Sequence, residues 1–179
     1  MRKSDCLGRN WLDFEELERS KMAGQTFEYT LRTYEPRDAA PVWDLHIEGL
    51  TGAPHSNPDW DDDVRNVPDV YLHPGCNFWV LEAADGSLAA MLAVRRIDAS
   101  TAEIKRVRVR SDLRRTGLAS RLISAAEAFC RRERYERIVL DTSTLQEPAQ
   151  RLWERNGYKR TGEREVGEFT LVFYEKRLR

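Results

Sequence analysis

Apolar residues change period several times along this chain of 179 residues. Between Phe27 and Arg32 they alternate with polar ones, the mark of a half-buried strand. After Pro36 the spacing becomes helical. Asp38 is placed to cap a helix whose Ala40, Val42, Trp43, Leu45, His46 and Leu50 make one apolar stripe. Residues 51–76 hold Gly52, Pro54, Pro58, Pro68, Pro74 and Gly75, which predicts loop with one short helix. Asn77–Ala83 is then an apolar run. Asp85-Gly86 follows, a hairpin signal because both residues tolerate positive φ, and Leu88–Ile97 returns. A turn over Asp98–Thr101 leads to Glu103–Arg110, the third strand of an antiparallel meander.

The period switches once more. Leu118, Leu122, Ala125, Ala126 and Phe129 mark one face of a helix over Gly117–Arg134, and Ile138–Asp141 is a short buried strand. Pro148 is tolerated in a first helical turn, Ala149, Leu152 and Trp153 give that helix its apolar face, and Asn156-Gly157 ends it. Tyr158–Gly162 and Glu168–Leu178 close the chain as strands. The order βα, ββ, βαβ, αββ, without internal repeat, predicts a single α/β (α+β) domain over residues 26–179. Its sheet is expected to be mixed and mostly antiparallel, with helices on both faces. Residues 1–25 read as a polar extension in which Trp11, Phe14 and Leu17 recur at helical spacing and Met22 is a second candidate start.

Composition narrows the classes. With 41% hydrophobic and 33% charged residues and no biased tract, the chain is expected to fold. The longest fully apolar run, Leu88–Val94, is far short of the about 20 residues a membrane helix needs, so no membrane partner is expected. The polar N-terminus is no secretory signal. Cys6, Cys76 and Cys130 are odd in number and lack metal-ligand spacing, so reduced thiols in a cytoplasm and no metal are expected. A net charge of −1 argues against nucleic acid as a partner, although residues 105–137 alone carry eleven bases and four acids. Residues 57–70 are acidic, with Asp59, Asp61, Asp62, Asp63 and Asp69 against Arg65. The run Asp59–Asp63 reads as a solvated loop, or as a lure for a cationic amine.

The stretch Val107–Ser120 carries the chemistry. A strand enters a turn bearing Arg114, Arg115 and Thr116, and Gly117 opens a helix. The N–H groups of a helix start, with the positive end of its dipole, suit a phosphate, and glycine lets backbone approach an anion closely. The pattern is neither a dinucleotide fingerprint nor a P-loop. Arg114-x-x-Gly117-x-Ala119 after Val107-x-Val109 resembles the signature of the Gcn5-related N-acetyltransferases (GNAT). A second block, Leu140-Asp141-Thr142 then Gln146-x-x-Ala149-x-x-Leu152-Trp153-Glu154-x-x-Gly157-Tyr158, is similar to that family's Asn-x-x-Ala-x-x-Leu-Tyr-Glu-x-x-Gly-Phe element. The resemblance covers Thr30–Leu178 and is strongest from Glu103 to Tyr158.

The resemblance implies a GNAT-like fold and transfer of acetyl from acetyl-CoA to a primary amine of a small molecule or peptide, by direct attack in a ternary complex. It implies that Val107, Arg108 and Val109 hold pantetheine as a pseudo-strand. Arg114, Arg115, Thr116, Gly117, Leu118, Ala119 and Ser120 would hold the pyrophosphate, with Gln146 and Trp153 completing the cofactor set. Trp153 stands where the family often has the tyrosine that protonates the departing thiolate, and an indole cannot give up its proton near neutral pH. Ser143, Tyr158 or water would then serve as the acid, or the thiolate leaves bare. Asp141 and Glu103 are the candidate bases. A coenzyme A-binding sensor without turnover is the alternative that Trp153 motivates. Relatives often dimerise, so a homodimer is an expectation. His55, His73, Tyr71 and Trp60 are candidate acceptor-pocket residues, while His46 and Cys130 read as packed core.

Overall fold

The computed structural model describes residues 29–50, 61–167 and 169–178. The expectations for the extension, Cys6, His55, Asp59 and Trp60 lie outside them. In chain order the elements are β1 (Tyr29–Thr33), α1 (Ala39–Leu50), α2 (Asp62–Arg65), α3 (Val67–Tyr71), β2 (Asn77–Ala83), β3 (Leu88–Arg96) and β4 (Thr101–Val109). There follow α4 (Leu118–Arg132), β5 (Arg137–Ser143), α5 (Glu147–Arg155), β6 (Lys159–Val166) and β7 (Phe169–Arg177). The seven strands form one sheet in the order β1-β2-β3-β4-β5-β7-β6. All pairs are antiparallel except β4 with β5. That parallel pair is bridged by α4, as a crossover requires.

Period-2 alternation splits the core in two. On β2, Trp79 and Leu81 face one side with Leu92, Leu122, Ile123 and Tyr174, and Phe78 and Val80 face the other with Val42, Leu45, Tyr71 and Met91. α4 and the Trp153 face of α5 therefore cover one side of the sheet, and α1 to α3 the other. Both faces of β2 and β3 are buried, which is why their sequences read as continuous apolar runs. The meander and the hairpin at Asp85-Gly86 match the sequence reading, and α4 is one residue shorter at its start and two at its end than the predicted Gly117–Arg134. The proline-rich segment differs, because its described residues, 61–76, hold two short helices where one is predicted. Pro68 sits in the first turn of α3, where its missing N–H costs nothing.

Asp38 also departs from its expected role. It lies within a 3-10 turn, Pro36–Asp38, that leads into α1, and it is buried. Its carboxylate accepts the Glu35 N–H at 2.8 Å and both Arg32 η-nitrogens at 2.6 and 2.8 Å. Arg32 Nε donates in turn to Glu82 on β2 at 2.7 Å. The chain thus reaches α1 through a capping box with Glu35, in which Asp38 is the third residue rather than the N-cap and is also held by the buried Arg32 ion pair. Burial alone would raise the Asp38 carboxyl, but the Arg32 and Glu35 hydrogen bonds outweigh it and hold the group below its ordinary range. A depressed carboxyl stabilises the fold above the ordinary value near pH ~4, and that contribution is lost as pH falls through the lowered folded value. Asp38→Asn is accordingly expected to flatten the fall of melting temperature below about pH 4. Asp38→Ala is expected to cost about 2 kcal/mol at neutral pH by chemical denaturation.

Candidate active site

β4 and β5 pair only over Thr101–Glu103 with Arg137–Val139. Beyond that point β4 continues to Val109 and β5 to Ser143, so the two strands diverge and leave a wedge. A cavity of about 410 Å³ fills the wedge, with Ile104, Arg106 and Arg108 on one wall and Asp141, Ser143 and Gln146 on the other. Leu50 of α1 and Arg164, Val166, Phe169 and Leu171 of the β6–β7 hairpin close its sides. The Arg110 N–H donates to Ala89 of β3 at 2.9 Å, so by strand alternation the Val109 backbone faces the wedge.

The divergence coincides with a bulge. Met91 pairs with Arg108 while Ala93 pairs with Lys105, so β4 spends one residue more than β3. Arg106 carries the bulge at φ +56°, a left-handed conformation that non-glycine residues rarely adopt. Two carboxylates hold it there. Arg106 Nη1 lies 3.0 Å from Asp61, and its Nε and Nη2 both reach Asp63, the former at 2.9 Å. The buried Tyr71 hydroxyl donates to Asp63 from behind. Burial would raise the Asp63 carboxyl, yet Arg106 and Tyr71 together keep it below its usual range. The solvated-loop reading of Asp61 and Asp63 is therefore corrected, since both are drawn inward by the bulge arginine. Sequence inspection overlooked Arg106, although a signal was present. Ile104 and Val107 pack on the same core cluster three positions apart, a phase slip that an unbroken strand would not allow.

His46 lies fully buried, as expected, with Nε2 3.0 Å from Asp61 Oδ1. Burial, then repulsion from Arg108 and Arg106, lowers its pKa, so the ring is neutral.

The candidate catalytic residues separate. Asp141 lies on β5, exposed, and lines the cavity. Gln146 accepts the Thr142 hydroxyl at 3.0 Å and also lines it. Glu103 sits at the closed end of the wedge, outside the cavity lining, ion-paired to Arg95 at 2.6 Å and 3.8 Å from Lys105. Tyr158 is buried in the α4-side core, edge-on to Trp153 with ring centroids 5.1 Å apart. Burial, then the Glu127 charge, raises its phenol strongly. Trp153 is only 5% exposed and belongs to the same cluster. Of the acceptor-pocket candidates, His73 is exposed and 2.8 Å from the Val70 carbonyl, and Tyr71 backs Asp63, so neither lines the cavity.

The glycine loop lies at the start of α4. Arg115 and Gly117 adopt positive φ, +69° and +92°. Arg114, Arg115 and Thr116 are exposed, and a Cβ built on Gly117 meets nothing within 4 Å. The first bond of α4 runs from the Arg121 N–H to the Gly117 carbonyl, so the N–H groups of Leu118, Ala119 and Ser120 precede the helical ladder. Leu118 is buried and pins this turn to the core. An anion can therefore approach main-chain nitrogens without displacing a side chain.

Comparison with known proteins agrees with this geometry. Residues 39–158 match the acetyltransferase (GNAT) family. This chain belongs to that family. As a GNAT protein it is 32% identical to human N-acetyltransferase 8 over 107 residues, 56% of this chain and 47% of the relative. It is 31% identical to N-acetylaspartate synthetase of Danio rerio over 110 residues, 61% of this chain and 38% of the relative. The chain thus spans less than half the length of these curated relatives. Its fold matches a GNAT acetyltransferase from Staphylococcus aureus with a TM-score of 0.77 at 16% identity, covering 84% of this chain and 99% of the other. An acetyltransferase from Streptococcus agalactiae matches with a TM-score of 0.74 at 21% identity and the same coverage. Among the described residues, no helix is long and apolar enough to cross a membrane, and no His, Cys, Asp and Glu group is arranged to hold a metal ion.

Removing Arg106 would leave Asp61 and Asp63 buried without their shared countercharge. Arg106→Ala is expected to lower unfolding free energy by about 3 kcal/mol in urea titrations.

Proposed function

We propose that this GNAT protein is an acetyl-CoA-dependent N-acetyltransferase acting on a primary amine of a small molecule or peptide, by direct attack in a ternary complex. The observation that carries the reading is the open left-handed turn at Gly117, in the connection that leaves the β4 strand of the wedge and opens α4. The residues present fit acetyl-CoA. Main-chain nitrogens of Leu118, Ala119 and Ser120, with Arg114 and Arg115 alongside, suit its pyrophosphate, and the unpaired edge of β4 over 107–109 suits its pantetheine. Once bound, acetyl-CoA supplies an activated thioester carbonyl.

The chain's own groups do the rest. Asp141, in the cavity wall, takes a proton from the acceptor ammonium, whose pKa near ~10 otherwise keeps it protonated. The Val109 N–H, facing the wedge, steadies charge growing on the carbonyl oxygen, a contribution of about 3 kcal/mol for a well-aimed donor. The new C–N bond forms as the C–S bond breaks. A thiolate with a pKa of about 8.5 can depart without prior protonation, and the Ser143 hydroxyl is a cavity-lining donor for it. Direct attack is favoured over an acetyl-enzyme because both described cysteines are buried. The Cys130 thiol is pushed up to about 12 by burial, and secondarily by Glu127.

Isothermal titration with coenzyme A tests the loop. Gly117→Glu is expected to abolish binding by placing bulk and negative charge against the diphosphate, with circular dichroism confirming the fold. Unchanged affinity would move the cofactor elsewhere. Asp141→Asn is expected to lower kcat about 100-fold while leaving coenzyme A affinity intact. An unchanged kcat would remove Asp141 as the base. Thiol release on any amine also separates turnover from a coenzyme A sensor.

A further inference from the structure

The cavity is more basic than amine capture requires. Four cations, Lys105, Arg106, Arg108 and Arg164, line it against two acids, Asp61 and Asp141. Arg106 is neutralised by Asp61 and Asp63, and Lys105 lies 3.8 Å from Glu103. Arg108 differs. Among the described residues no carboxylate lies within ion-pair distance of it. Its Nη1 donates to the Val107 carbonyl at 3.0 Å, and its Nε is buried without any hydrogen-bond partner.

The fold makes room for this arginine deliberately. A Cβ on Gly49 of α1 would stand 2.2 Å from Arg108 Cδ and 2.5 Å from Nε, so only glycine leaves the slot along which the side chain runs to the cavity. Burying a guanidinium without a countercharge is costly, and the cost is recovered when a carboxylate arrives. Burial, then the neighbouring Arg106, pushes the Arg108 pKa down to about 10, so the group is still charged at neutral pH.

We propose that the acceptor is an amine that also bears a carboxylate, and that the Nη edge of Arg108 binds this carboxylate while Asp141 faces the amine. The proposal rests on the acetyltransferase reading and specifies its substrate class. Arg108 is a specificity residue, and Gly49 is a positioning residue acting through it. Neither role follows from the pseudo-strand assignment, which uses only the Arg108 backbone.

The test compares several α-amino acids, each with its own carboxamide and its decarboxylated amine, by coenzyme A thiol release. The amide is the less basic amine and so the more available nucleophile, which makes any preference for the acid a matter of recognition. The acids are expected to exceed their amides in kcat/KM by about 30-fold, the worth of a charge-assisted contact. Arg108→Met is expected to reduce that ratio to within about three-fold. Gly49→Ala, which strengthens α1 locally and keeps the arginine but closes its slot, is expected to reduce it as well. Equal use of acid and amide by the native protein, or a preference that survives both substitutions, would overturn the proposal. If no amine is acetylated although coenzyme A binds, calorimetry with an N-acetylamino acid and its amide in the presence of coenzyme A decides. Binding of the acid alone, lost in Arg108→Met, supports the carboxylate site, and equal or undetectable binding of both refutes it. Loss of coenzyme A binding in the native protein would instead refute the acetyltransferase reading itself.

Discussion

Arg106 leaves the β4 ladder in a left-handed bulge and is caught there by Asp61 and Asp63, with Tyr71 behind them. The shape of the β4 wall follows from this arrangement. The bulge shifts the phase of β4, so that Ile104 and Val107 share a core face while Arg106 and Arg108 turn toward α1 and the wedge. It lies just beyond the last pairing of β4 with β5, where the strands separate and main-chain groups lose their sheet partners. The positive φ at a non-glycine residue is strained, and the two carboxylates provide the over-determination that strain of this kind requires. They also draw the start of α2 toward β4, which is how Asp61 comes to line the cavity.

The two sides of the wedge divide the chemistry. On the α4 side, Leu118 anchors the turn at Gly117 to the core, the residues before it are exposed, and the N–H groups of Leu118, Ala119 and Ser120 precede the helical ladder on which the proposed diphosphate site rests. On the α1 side, Arg106, Asp61 and Asp63 sit close together and largely out of solvent, where charges are less screened than at the surface and their pairing determines which one remains available. Arg106 is consumed by the architecture. Arg108 is left over, and Gly49 keeps it in place. Trp153 belongs to neither side. It packs edge-on against Tyr158 in the core, consistent with a site whose leaving group departs without an aromatic acid.

Local patterning determined much of this protein. The apolar runs of Asn77–Ala83 and Leu88–Val94, the hairpin at Asp85-Gly86, the amphipathic face of Leu118–Phe129 and the Gly117 turn all express short-range rules, because strand burial pattern, helix period and positive φ are properties of a few neighbouring residues. The glycine loop and the Gln146–Tyr158 block were legible for the same reason, since each binds or packs through contiguous backbone. Only the tertiary structure decided which charges face which. Asp63 and Arg106 stand 43 residues apart, and Gly49 and Arg108 meet across a helix–sheet interface, so nothing in their neighbourhoods marks them as partners. Glu103 and Asp141 looked alike as carboxylates near strands, and the wedge separates them, one held by Arg95 at its closed end and the other open to the cavity. Ion pairing and burial depend on distances through space that the order of residues does not encode locally, and for that reason the acceptor side of the site became readable only once the chain had folded.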